Sequence, residues 1–231
     1  TSAYAGRNFN DIIFIGGNRV GTGYFRNVGN TQRMGTELGL NGKLGNKLSW
    51  YGNYSYVRAT FETSQNISSA GHSSNPFECD GAIAGATAND QDACESSEGY
   101  QIGVGPGDAI PGLSPHVTRI GIGYAPTESF SMALDTEYNS NQFYRGDENN
   151  HHGQKVPGYF LLNASAEFKL PLKANSPFST IFFLDGRNLL DTNFETGGIV
   201  AENEVEGTGG SGTFVTPGQP LSIMGGMHIR W

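Results

Sequence analysis

Three features predict an all-β chain whose strands run antiparallel, up and down, through a membrane. Apolar residues recur at every second position over about eight segments of roughly ten residues, the length that a tilted membrane strand requires. Short and long connections alternate along the chain. The ending, PLSIMGGMHIRW, keeps the period-two pattern up to a terminal tryptophan.

Composition points the same way. The 231 residues include 34 glycines and 10 prolines, punctuation that favours many strands and turns over helices. The longest apolar runs, IIFI and IFFL, fall far short of the roughly 18 residues that mark a membrane-spanning helix. Lys and Arg number 14 against 22 Asp and Glu, a net charge of −8, the wrong sign for a protein that neutralises phosphates. Nucleic acid is therefore excluded as a partner. The start, TSAYAGRNFN, lacks a basic stretch followed by an apolar one, so it is either a mature start or a cut within something longer, and the cut is expected.

The elements follow in order. FNDIIFIGG, residues 9–17, is expected as the first strand. In RMGTELGLNGKL, Met34, Thr36, Leu38, Leu40 and Leu44 oppose Arg33, Glu37, Asn41 and Lys43. LSWYGNYSY sets Leu48, Trp50, Tyr54 and Tyr56 against Ser49, Tyr51, Asn53 and Ser55. HVTRIGIGY carries Ile120, Ile122 and Tyr124 on one side, and FSMALDTEYN separates Phe130, Met132, Leu134 and Tyr138 from Asp135 and Glu137. YFLLNASAEFKL repeats the pattern with Phe160, Leu162, Ala164, Ala166, Phe168 and Leu170, and STIFFLDGRN with Phe182 and Leu184. In the last strand Leu221, Ile223, Gly225, Met227 and Ile229 oppose Ser222, Met224, Gly226, His228 and Arg230.

A soluble sandwich shows the same alternation with its apolar face turned inward, so the connections decide. GNK, PTES and PLKANSP are tight, whereas residues 18–31, 62–114, 142–158 and 191–218 are long and polar. One long gap reaches roughly fifty residues, beyond the loops normal in a compact soluble domain. Strict alternation fits a barrel with one rim in the periplasm and the other outside. The apolar stripe then meets outer-membrane lipid, and Trp231 sits at the interfacial girdle. Arg33, Glu37, Lys43, Arg119, Asp135, Glu137, Glu167, Lys169, Asp185 and Arg187 face inward and are expected to pair across strands. Cys79 and Cys94 share one outer loop and are expected as a disulfide, worth about 3 kcal/mol for a loop of about 15 residues.

The stretch FYRGDENNHHGQK offers Phe143, Tyr144, Arg145, His151 and His152 for stacking on or charge-pairing with an anionic chelate. The competing expectation is a solvated loop apex. Two adjacent histidines lack a positioned third ligand, and DENN lacks the spaced frame of an EF-hand, so no metal is assigned and no cofactor is expected. Asp147 lies close to both histidines, but no nucleophile with a placed base accompanies them, so no enzyme is expected.

Six stretches carry a resemblance: GYFRNVGNTQRMGTELGL, LSWYGNYSYVRATFE, PGDAIPGLSPH, YRGDENN, VPGYFLLNASAEF and GRNLLDTNFETGG. Taken in this order the chain resembles the C-terminal half of the barrel of TonB-dependent outer-membrane receptors. The resemblance implies a barrel of about 22 strands around an N-terminal plug, of which residues 1–231 would be about eight C-terminal strands and one domain. It implies a bacterial outer-membrane transporter that captures a scarce nutrient, most often a ferric siderophore, with energy relayed from the TonB complex through the plug. Receptors for haem, cobalamin and glycans share this wall, so the cargo stays open. Ile223, Met227, Ile229 and Trp231 resemble the insertion signal that such barrels present to the barrel-assembly machinery. The alternative is a self-contained small barrel, a pore or an adhesin.

Overall fold

A computed structural model describes residues 1–16, 23–69, 72, 101–171, 178–203 and 210–230. The chain runs up as β1 (Ser2–Asn8), forms a ribbon of β2 (Ile12–Gly16) and β3 (Gly23–Asn27), and returns as β4 (Thr31–Leu44). A tight turn with Gly45 at φ 66° leads into β5 (Leu48–Phe61). A left-handed residue is what glycine supplies at little steric cost. The ribbon of β6 (Gln65–Ser68) and β7 (Gln101–Val104) precedes the hairpin of β8 (His116–Thr127) and β9 (Phe130–Asn139). A short ribbon, β10 (Gln142–Phe143) with β11 (Lys155–Val156), precedes β12 (Tyr159–Lys169) and β13 (Ser179–Arg187). The last ribbon, β14 (Glu195–Asn203) with β15 (Gly210–Pro217), leads into β16 (Ser222–Arg230).

Eight of these strands form one antiparallel sheet in the order β1-β4-β5-β8-β9-β12-β13-β16, each beside its predecessor in the chain. The four ribbons all arise at the same end, which we call the loop end. Up-and-down order, the alternation of tight and long connections and the all-β class agree with expectation. Among the described residues no helix is long and apolar enough to cross a membrane.

One expected strand moves. The first wall strand is Ser2–Asn8, paired with β4 from Ser2↔Glu37 to Asn8↔Thr31, whereas Ile12–Gly16 pairs with β3 in a ribbon beyond the wall. The alternation at residues 12–15 is real, but it serves a local core: Ile15 is fully buried there. The wall strand was hidden because its apolar-side positions are Ala3, Ala5 and Arg7, which give little period-two signal.

Register puts the oily residues on one face. Leu38↔Tyr54, Trp50↔Ile122, Ile122↔Leu134, Leu134↔Ala164, Phe168↔Phe182 and Phe182↔Met227 continue the apolar face from strand to strand. The other face holds Arg119↔Glu137 directly opposed, Gly121↔Asp135 and Asn163↔Asp135, and Ser165↔Asp185. Of the charged residues in the eight strands, only Arg7 and Arg58 stand at apolar-face positions, both near the loop end. Ile223, Met227 and Ile229 lie on the apolar face with 68%, 59% and 48% exposure; Trp231 lies outside the described residues.

Burial is concentrated beyond the wall. Ile15, Val28, Phe61, Ile67, Ile102 and Val104 form one cluster, where the first two ribbons meet over the end of β5. Tyr144, Val156 and Val200 form a second, smaller one. Along the sheet Leu40, Ile120, Ile122, Leu134, Leu184 and Met227 all remain exposed.

Candidate functional site

At the loop end, residues from four connections enclose a cavity of about 400 Å³. Its walls include Phe14 from β2, Gly112 from the approach to β8, Phe143 from β10, and Phe214 from β15, with Arg145 beside them. Backbone bonds fix the frame. Gly112 N donates to Phe143 O at 3.1 Å, Arg145 N to Gly198 O at 3.1 Å, and Val200 N to Arg145 O at 2.7 Å. Gln142 Nε2 donates to Thr196 O at 3.1 Å. Arg145 is thereby stitched along β14 as a parallel bridge to Ile199, while its side chain stays exposed over Gly112, whose φ is 77°. Lys155 Nζ stands 3.9 Å from the centroid of the Phe143 ring, a cation–π geometry. No ion pair to Arg145 occurs among the described residues.

The predicted ligand contacts therefore divide. Phe143 and Arg145 line the cavity. Tyr144 alternates to the other side, as a strand-like backbone demands, and is buried against Val156 and Val200 with its hydroxyl donating to Glu195 Oε2 at 3.3 Å. Burial first, and then the Glu195 carboxylate, push the Tyr144 hydroxyl above its ordinary range. His151 is exposed and outside the cavity lining; His152 turns back onto Tyr144 and His72, at ring separations of 6.4 and 5.6 Å. Burial, reinforced by the nearby His72, lowers its pKa. Phe14 and Phe214 were missed because they lie far from the RGDENN stretch in sequence and only ribbon pairing brings them to it.

Behind the cavity, RGDENN is a structural hub. Gly146, at φ 92°, presses so close to Val200 that a Cβ would sit 2.8 Å from the Val200 carbonyl oxygen. Ser69 Oγ donates to Gly146 O. Asp147 Oδ1 accepts from His72 Nε2 at 3.0 Å and from His152 N at 3.0 Å, with the His72 and Asp147 side chains at 0% exposure. Asn150 copies a strand partner, donating to Ala109 O at 3.0 Å and accepting from Ala109 N at 2.6 Å. Glu148 is buried; Oε1 accepts from Gly146 N at 3.0 Å, whereas Oε2, like Asp147 Oδ2, has no hydrogen-bond partner among the described residues. Burial pushes the Glu148 carboxyl up to about 7.

This geometry does not assemble a catalytic set: Asp147 and His72 are closed to solvent, and Ser69 is committed to a carbonyl. Among the described residues no group of three or more His, Cys, Asp or Glu is placed to hold a metal ion. Cys79 and Cys94 lie outside the described residues.

On the polar face of the wall, Tyr51 donates to Asp135, Arg119 pairs with Glu137 at 3.3 Å, and Arg187 with Asp185 at 3.0 Å. Arg33 instead reaches beyond the sheet to Asp11 at 2.8 Å. Burial works to raise the Asp11 pKa, but hydrogen bonds from Thr31 and Arg33 hold it below the usual carboxylate value.

The sequence model for a TonB dependent receptor-like β-barrel matches residues 1–189. Among solved structures, the ferric-catecholate import receptor Fiu of E. coli K12 superposes with a TM-score of 0.53 at 17% identity, over 98% of this chain and 24% of its own. The copper transporter OprC gives 0.55 at 14% identity over 98% and 27%. The ferric preacinetobactin receptor BauA of Acinetobacter baumannii gives 0.52 at 11% over 99% and 26%. The chain thus spans about a quarter of the length of these proteins. No curated protein sequence matches it.

Proposed function

Since the chain belongs to the TonB-dependent receptor β-barrel family, we propose that it supplies part of the wall and outer vestibule of an outer-membrane transporter for a ferric siderophore. The apolar face meets hydrocarbon, the polar face lines the interior, and the loop end faces the outside. In such a transporter, energy reaches the barrel from the TonB complex through a plug, and the strands are inserted by the barrel-assembly machinery.

The observation that carries the cargo reading is the cavity lined by Arg145 and by Phe14, Phe143 and Phe214, with no ion pair to Arg145 among the described residues. A guanidinium offers a planar fork of donors for carboxylate or catecholate oxygens. The aromatic walls stack on the ligand's organic frame, and Lys155 adds a second positive charge at the rim. Nothing in the arrangement converts the cargo chemically; it recognises and holds it.

The experiment is equilibrium binding of a panel of ferric chelates to the intact receptor and to its Arg145→Ala variant. Loss of about tenfold or more in affinity for an anionic chelate, with a neutral one unaffected, is expected. Equal binding by both proteins would remove Arg145 from the site. Uptake that persists without TonB would replace transporter with passive pore.

A further inference from the structure

The loop layer buries two acids that cargo recognition does not use. Asp147 and Glu148, adjacent in sequence, are 0% and 3% exposed. One oxygen of each is engaged: Asp147 Oδ1 accepts from His72 Nε2 and His152 N, and Glu148 Oε1 accepts from Gly146 N. The other two, Asp147 Oδ2 and Glu148 Oε2, have no hydrogen-bond partner among the described residues. Two ionised carboxylates side by side in such a place would carry a large desolvation cost on top of their repulsion, so the pair has to be neutralised.

Lysine and arginine do not supply the counter-charge. The sequence has neither between Arg58 and Arg119 nor between Arg187 and Arg230, which leaves Arg145 and Lys155 for the three connections that meet at the pair. Arg145 lies over Gly112, and Lys155 stands over the Phe143 ring. Among the described residues the ionisable groups that act on Glu148 are Asp147 from its own loop and His72 from the connection after β6, with His152 facing both of these. The segments packed against the loop from β14 and from before β8 bring Gly198, Val200 and Ala109, none of them ionisable. A charge on His72 would balance one carboxylate and leave the other, so a proton on Glu148 is the remaining neutraliser. Burial above all, with the Asp147 charge beside it, holds that carboxyl at about 7. The pair also sits where the connections are fastened to one another. Ser69 Oγ, after β6, donates to Gly146 O; Arg145 is bonded to Gly198 and Val200 of β14; and Asn150 holds Ala109, just before the Gly112 that walls the cavity.

We propose that the buried Asp147–Glu148 pair is a proton-operated latch: with one proton bound it fastens the three connections around the cavity, and on losing that proton it lets them part. Its bearing on cargo rests on the function proposed above. When Glu148 gives its proton to water, two adjacent carboxylates repel and draw water in, and Gly146, held between Ser69 and Glu148, is freed with them. The folded carboxyl lies above its ordinary 4.5, so the latch is full below about 4.5, weakens as pH rises toward 7 and changes little beyond. Between pH 5 and pH 8 its opening becomes roughly seventyfold easier.

The test uses the intact receptor in detergent and no ligand, so its failure is distinct from failure of the cargo reading. Hydrogen exchange, corrected for its intrinsic pH dependence, is followed in residues 65–69, 109–112 and 198–200 from about pH 5 to about pH 8. Infrared spectroscopy with isotope-labelled glutamate reads protonated carboxyls over the same range. In the wild type, protection in the three segments should fall together, by about tenfold or more, as the stretch of a buried glutamic acid disappears. Glu148→Gln should lack that stretch and keep its protection level across the range; His72→Gln should retain the fall. Protection that is level in the wild type, that falls at a different pH in each segment, or that still falls in Glu148→Gln would overturn the latch. A fall abolished in His72→Gln but not in Glu148→Gln would make the histidine the switch and overturn the carboxyl pair. Should Glu148→Gln not fold, the wild-type infrared titration decides: a glutamic-acid stretch present at about pH 6 and gone by about pH 8 upholds the buried proton, and its absence at about pH 6 refutes it.

Discussion

The wall and the loop layer solve burial in opposite ways. Among the described residues, all the buried hydrophobic ones belong to the ribbons, the loops and the loop-end tip of β5, including Phe61 and Ile15 at 0% exposure, whereas Ile120 in the middle of β8 is 50% exposed. The loop layer therefore carries its own core. The wall has register and backbone pairing but no interior among its own residues. Its stability depends on what covers its two faces, which in the function proposed above are hydrocarbon on one and the interior on the other. The same amino-acid types, alternating in the same way, thus mean different things in the two regions.

Several perturbations would break or sharpen this contrast. The largest effect is expected in the loop layer from Phe61→Ala, at about 4 kcal/mol, because a fully buried ring leaves a cavity. Hydrogen exchange should show lost protection in β2, β3, β6 and β7 with β12 and β13 unaffected; a loss spread evenly over the sheet would abolish the distinction. Ile120→Arg should weaken insertion into vesicles by about 3 kcal/mol, since it puts a cation at mid-depth on the lipid face. A neutral effect in urea titrations of the refolded barrel would mean that protein, not lipid, covers that face.

The loop layer should also respond to pH. Glu148 is raised from 4.5 to about 7 in the folded state, so the folded loops hold a proton that opened loops release. Their stability is full below about 4.5, falls as pH rises toward 7, and is level beyond; the total change is on the order of 3 kcal/mol. Asp147 and His72 face the same carboxyl and are present on both sides of the comparison. Glu148→Gln should flatten this slope in hydrogen exchange of residues 142–156, and an unchanged slope would assign it to another group. The smallest effect is expected from Arg119→Gln. Its partner Glu137 and Arg119 itself have side chains 27% and 59% exposed, so the pair is worth less than about 1 kcal/mol.

Much of the wall was legible in the sequence because a strand between oil and water must alternate. Leu38, Trp50, Leu134 and Phe168 declared their face, and the tight GNK connection declared the rim. Strand β1 was not legible, for Ala3 and Ala5 are too small to contrast with Ser2 and Tyr4. The ribbons were not legible as ribbons, because their apolar residues serve contacts between segments far apart in sequence, such as Ile15 with Ile102. At the site, Phe143 and Arg145 stood out by residue type, and Tyr144 fell to the buried side through the alternation of β10 into the next residue. Nor did Asn188 announce its role: 2% exposed, it accepts from Thr192 N at 2.9 Å and donates to Gln219 O at 3.0 Å, tying two connections. The buried carboxylates of Asp147 and Glu148 had no signal, since acidic loop residues are ordinarily solvated.

Among the described residues the sheet ends in two bare margins, for β1 pairs only with β4 and β16 only with β13. Each margin displays a ladder of amide hydrogens and carbonyl oxygens that oil cannot solvate, at several kcal/mol for every group left alone. In the function proposed above, the arc is thus adhesive along both sides and needs partner strands along each margin. Self-association through these margins is the expected behaviour of the isolated chain, read by sedimentation in detergent.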